Sequence, residues 1–204
     1  GELADATPTD APRAALLWDI EDLWSIDSEV HAPGATHSAL TLAAYEALVR
    51  AGYAVDVVDP AEDFSSYRLA LAPAIHIGSS TRVRNIENAA TSGTVVVIGP
   101  RSLVRTEDGV WIEQPFGGLN LGVRVADFGT PPDGLQIEGG IPIGPWAERL
   151  VPSEAMPILR YEETEWDGAV AAVRLGDLVY LGASSTEAWS TVLDRVLESS
   201  VTSG

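Results

Sequence analysis

The chain has 204 residues, 46% of them apolar, and its twelve basic residues stand against thirty acidic ones for a formal net charge of −18. That charge repels a phosphate backbone and an anionic lipid surface, so nucleic acid and membrane are disfavoured as partners, and no apolar run approaches the roughly 18 residues needed to cross a bilayer. There is no cysteine and every basic residue is arginine, which removes disulfides, thiolate chemistry, a phosphate-loop lysine, a Schiff-base lysine and a serine–lysine dyad.

Residues 1–12 are polar and acidic, with Pro8 and Pro12, and read as a linker remnant ahead of a single domain over 13–204. The start at Gly1 rather than Met suggests a larger parent protein. Residues 14–19 form a short apolar run suited to a buried parallel strand, ending in a turn that carries carboxylates and indoles. A helix is predicted over 36–51, with Leu40, Ala44, Ala47, Leu48 and Ala51 on one face and Gly52 as its stop. Strands follow at 53–58 and 69–77, the second interrupted by Pro73. Ser79 or Ser80 caps a helix that turns Val83, Ile86 and Ala90 toward the sheet, and Gly93 ends it before a fourth strand at 95–98.

The second half changes character. Residues 103–112 alternate about Asp108-Gly109 and predict a hairpin. Residues 123–128 predict another strand, and 130–145, rich in Gly and Pro, a surface excursion. A second hairpin is expected from 169–174 and 178–181 around Gly176-Asp177, joined to the sheet edge. In the last helix Ser184 and Glu187 have capping-box spacing, and Trp189, Val192, Leu193, Val196 and Leu197 make an apolar face. The expected class is α/β: a mostly parallel sheet with helices on both faces and antiparallel edge hairpins.

Several segments, in order, carry a family resemblance. They are Ala14-Ala15-Leu16-Leu17-Trp18-Asp19 with its acidic, Trp-bearing turn, Tyr45-Glu46-Ala47-Leu48 leading to Gly52-Tyr53-Ala54-Val55-Asp56-Val57-Val58, Tyr67-Arg68-Leu69-Ala70-Leu71-Ala72-Pro73, and Gly93-Thr94-Val95-Val96-Val97. Together the chain resembles the trimerisation domain of family 42 β-galactosidases, which is flavodoxin-like and related in fold to class I glutamine amidotransferases. The resemblance implies a non-catalytic role: self-association, as homotrimers of a parent enzyme, with the domain helping to wall an active site. The galactoside would be handled by a separate catalytic barrel, and the setting would be cytoplasmic. It implies no cofactor.

The residues themselves give candidates for a crevice or interface: Trp18, Asp19, Glu21, Asp22, Trp24, His31 and His76. Open α/β sheets place functional crevices at the carboxyl ends of their strands, and indoles there serve equally as core, sugar platform or interface anchor. Retaining glycosidases need two converging carboxylates, but Asp19, Glu21, Asp22 and Asp27 on a turn need not converge, and no catalytic residue is assigned. His31 and His37 lack zinc-ligand spacing, so no metal site is assigned either. Gly78-Ser79-Ser80-Thr81 reads as helix capping before anion binding. At Gly99-Pro100-Arg101-Ser102 the amidotransferase cysteine is missing. Two alternatives stay open: a small hydrolase using Ser102 or a crevice carboxylate with His76, and a sugar- or anion-binding module using Trp18, Trp24 and His31.

Overall fold

The computed structural model describes residues 11–29, 31–112 and 115–201. Most of the proposed 1–12 lead-in therefore lies outside the described residues. The first half alternates as the apolar runs dictate: β1 (Arg13–Leu17), α1 (Ile20–Asp27), α2 (His37–Arg50), β2 (Ala54–Val58), β3 (Leu69–Ala72), α3 (Ser80–Thr91) and β4 (Val95–Ile98). The second half is mostly strand: β5 (Val123–Gly129), β6 (Gln136–Ile137), β7 (Ala147–Pro152), β8 (Met156–Glu162), β9 (Val170–Leu175) and β10 (Leu178–Leu181), closed by α4 (Thr186–Val201).

The strands join in the order β2-β1-β3-β4-β10-β9-β7-β5, with β8 also on β9 and β6 on β8. The first five are mutually parallel and the remainder antiparallel. Both faces of β1, β3 and β4 are covered, because residues of opposite parity enter different cores. Leu16, Leu71 and Val97 pack under α2 and α4, whereas Leu17, Ala70, Ala72 and Ile98 pack under α3. Fully covered strands read as continuous apolar runs, which is why these were legible.

The helix ends follow from local chemistry. Thr36 accepts from Ala39 N and Ser79 from Arg82 N, so the capping reading of the 78–81 segment holds. The face of α2 is Leu40, Ala43, Ala44, Ala47 and Leu48, while Ala51 is exposed; in α3 the fully buried alanine is Ala89 rather than Ala90. The cap of α4 is Ser185, whose Oγ accepts from Ala188 N at 3.0 Å. Ser184, one residue earlier, is instead buried and accepts from Trp146 N. Ser185→Ala should cost about 1 kcal/mol, the usual worth of an N-cap, in a urea titration; an unchanged midpoint would show that the cap is dispensable.

Three expectations are corrected. The turn after β1 is a helix, α1, capped by Asp19, whose Oδ1 accepts from Glu21 N. The 103–112 hairpin is reduced to one antiparallel bridge, Arg105 to Trp111, closed by Gly109 at φ 75°. Finally, β9–β10 is not an edge hairpin: β10 sits beside β4, and β9 passes the sheet on to β7 and β8. The apolar run of β10, with Val179, Tyr180 and Leu181 buried, suits that interior place better than an edge.

Candidate functional site

Sheet growth reverses between β1 and β3, since β2 lies to one side of β1 and β3 to the other. At such a switch point the connections leave on opposite faces and a crevice opens at the strands' carboxyl ends. The segments following β1, β3 and β4 meet there. They bring together Asp19, Asp22, Ser25, His76, Arg82 and Arg101.

Arg82, in the first turn of α3, is the hub. One nitrogen, Nη1, reaches both oxygens of Asp22 at 3.0 Å and the Ile77 carbonyl at 3.2 Å, and Nη2 pairs with Asp19. Asp22 is 1% exposed and also accepts from Ile77 N. Burial dominates its titration and pushes it up to about 6, against the opposing pull of Arg82. Asp19 and Asp22 thus converge, as a catalytic pair would, but onto a shared cation that spends both carboxylates on tying α1 to α3. Glu21 points away and is exposed.

His76 is 1% exposed, and its Nδ1 lies 2.8 Å from Ser25 Oγ. Burial, followed by the Arg101 guanidinium, depresses its pKa to about 3, so the imidazole is neutral at physiological pH. So weak a base is poorly matched to general-base catalysis near pH 7. Ser102 is fully buried and its Oγ has no hydrogen-bond partner among the described residues.

After β4 the chain makes a strained elbow. Arg101 and Leu103 sit at φ 62° and 58°, left-handed values that cost a non-glycine residue energy. Gly99 is required just before it, because a Cβ there would meet the Pro73 carbonyl at 2.4 Å. The elbow is braced by Glu148 of β7, whose Oε1 accepts from Arg101 N and Trp146 Nε1 and whose Oε2 accepts from Tyr180 Oη. Complete burial raises the Glu148 pKa. The Arg101 guanidinium stacks 4.9 Å from the Trp146 ring centre and donates to the Ala35 carbonyl. Between this elbow and Phe128 of β5 lies a cavity of about 90 Å³, walled largely by aromatic rings. A larger open cleft, about 800 Å³, lies at the opposite ends of the strands beside Arg13, Tyr53 and Tyr67, away from every candidate residue.

His31 and Trp24 lie at the rim. His31 is exposed and bonds Glu29 at 2.9 Å, and Glu29 also pairs with Arg105, whose guanidinium lies 4.0 Å over the Trp111 ring. Trp18 is half-buried and meets His37 edge-on at 6.2 Å, while Trp24 is 63% exposed. Among the described residues no group of three or more potential metal ligands occurs, and no helix is long and apolar enough to cross a membrane.

Arg82, Arg101, Trp146 and Glu148 went unassigned in the sequence. Arg82 had a signal: it is the cation in the first turn of a helix that faces an acidic strand end. Glu148 had none, because a carboxylate inside a strand reads as a solvent-facing position.

The family model described as the β-galactosidase trimerisation domain matches residues 12–201. The chain belongs to this family. Among its relatives, a β-galactosidase of Halorubrum lacusprofundi is 29% identical over 84% of the chain, and one of Thermus thermophilus is 30% identical over 86%. Each match occupies 27% of the relative, so the chain spans under a third of the length of these enzymes. The solved β-galactosidase of the Antarctic haloarchaeon Halorubrum lacusprofundi superposes with a TM-score of 0.83, covering 96% of this chain and 31% of that one at 28% identity. A β-galactosidase from Bacillus circulans sp. alkalophilus, at 16% identity and a TM-score of 0.81 over 94% of this chain and 32% of that one, shows the same fold. The family resemblance read from the segments is thereby shown.

Proposed function

We propose that this trimerisation domain is the subunit-joining part of a longer β-galactosidase: it holds three subunits together, helps wall an active site built elsewhere in that protein, and breaks no bond itself. The observation that carries the reading is the family match over residues 12–201 in a chain that spans under a third of its relatives. The local geometry supports it. The carboxylates at the switch point are engaged by Arg82, and the exposed Trp24 and Ile20 on α1 leave apolar surface at the carboxyl ends of the strands. The parallel order β2-β1-β3-β4-β10 supports the flavodoxin-like description. In this reading residues 13–204 act as one domain behind a linker remnant, the galactoside meets the parent's catalytic domain, and the setting is cytoplasmic.

Two measurements test the proposal. The chain alone, incubated with a chromogenic galactoside, should release no chromophore above background; turnover abolished by Asp22→Asn would put catalysis in this domain. In the longer protein, Trp24→Ala should weaken subunit association in sedimentation velocity by about tenfold or more, as an interfacial anchor does, while the melting temperature at fixed assembly stays within a degree or two. Strong destabilisation with unchanged association would make Trp24 a packing residue.

A further inference from the structure

Trp24 does not stand alone on its helix. Glu21, Trp24, Ser25 and the C-cap residue Ser28 are spaced i, i+3, i+4 and i+7, so they form one stripe along α1 and its end. That stripe is one wall of an open groove of about 440 Å³, and the turn at 106–109, with Glu107, forms the other. Three charged residues line the groove, Glu21, Glu29 and Glu107, and all are acidic. Glu29 is already ion-paired with Arg105 and hydrogen-bonded to His31, whereas Glu21 and Glu107 form no ion pair among the described residues. The groove therefore combines an uncovered indole with an unpaired carboxylate on each wall.

An indole face attracts a cation through its ring quadrupole, and carboxylates on either side favour a planar, multiply donating cation over a point charge. The chain's charge of −18 adds a long-range field of the same sign. We infer that the groove between α1 and the 106–109 turn is a receptor for an arginine side chain presented by another subunit, its guanidinium lying on Trp24 between Glu21 and Glu107. The source rests on the assembly reading above; the recognition chemistry does not. Every cation of this chain is an arginine, so a contact made by a second copy of the domain has no lysine to offer.

The probe is a blocked arginine peptide, N-acetyl-Gly-Arg-Gly-amide, titrated into the full chain while the Trp24 indole N–H resonance, assigned by its loss in Trp24→Phe, is followed by NMR. Matching peptides with lysine or citrulline in place of arginine are the controls. The expected result is saturable movement of the Trp24 signal by the arginine peptide, several-fold weaker binding of the lysine peptide and none of the uncharged citrulline peptide. Glu107→Gln should weaken arginine binding at least threefold, and Trp24→Ala, followed on the backbone amides of 106–109, at least fivefold. Both changes are at the surface, so the fold survives them. A Trp24 signal that the arginine peptide leaves in place, or moves no more than citrulline does, overturns the inference.

The same peptides separate the two proposals. Association of the longer protein that is weakened by Trp24→Ala yet untouched by excess arginine peptide retains the assembly role and removes the arginine receptor. Arginine binding to the groove with association indifferent to Trp24→Ala keeps the recognition chemistry but overturns its source in another subunit, and with it the assembly role for this face.

Discussion

Arg82→Met should destabilise the chain by about 3–5 kcal/mol, because breaking a buried pair from one side leaves uncompensated charge in the interior. The side chain is 6% exposed and answers two carboxylates at once, Asp22 at 1% and Asp19 at 15% exposure. A methionine of similar length refills the volume but satisfies neither carboxylate. Asp22 still keeps the Ile77 N–H, which softens the loss without cancelling it. The double variant Arg82→Met/Asp22→Leu should recover much of the stability, since replacing both buried charges by apolar groups is often close to neutral. Urea titrations of the wild type, the two single variants and the double variant measure the coupling directly. An Arg82→Met cost below about 1 kcal/mol would mean that the cluster does not hold α1 to α3, and the switch-point carboxylates would again be free to do chemistry.

This cluster marks where sequence reading stopped. The parallel strands were legible because both of their faces are buried, leaving β3 and β4 as uninterrupted apolar runs. Helix α1 was not, although Asp19 offers a cap and Glu21 and Asp22 the acidic first turn of a helix. Its buried stripe holds Asp22 where an apolar residue would be expected, and its indole faces outward, so the helical period of hydrophobicity never appears. Strands β7 and β8 were hidden for a related reason. Glu148 points inward in β7 and Met156 outward in β8, which inverts the alternation that identifies a half-buried strand. Of the candidate residues, Asp19, Asp22 and His76 do meet at one crevice, whereas Arg82, the partner that decides the roles of the two carboxylates, lies 60 or more positions away from them along the chain. Its one sequence signal is its place in the first turn of a helix facing that acidic strand end, which names neither carboxylate as its partner.

His76 gives the second large effect, which appears as a dependence on pH. Its folded pKa of about 3 lies below the ordinary histidine value of 6.5, chiefly because the ring is buried and then because Arg101 is near. The unfolded chain takes up a proton at 6.5 that the folded chain refuses until about pH 3, so the contribution of His76 is fully present above pH 6.5 and is lost as the pH falls. Between pH 7 and pH 4 the loss is about 3 kcal/mol. Asp22 acts in the opposite sense: with a folded pKa of about 6 it binds its proton earlier in the folded state and returns about 2 kcal/mol over the same interval. The wild type should therefore show only a shallow slope from these two sites, and substitution exposes each of them. His76→Asn should gain about 3 kcal/mol relative to the wild type on going from pH 7 to pH 4, whatever its stability at neutral pH, since it no longer has an imidazole to keep unprotonated. Asp22→Asn should lose about 2 kcal/mol relative to the wild type over the same range. Urea titrations at pH 4, 5, 6 and 7 resolve both trends. A constant difference between His76→Asn and the wild type across that range would mean that the imidazole takes its proton in the folded chain as readily as in the unfolded one. The crevice around Ser25 and Arg101 would then have to admit a charge that its burial argues against.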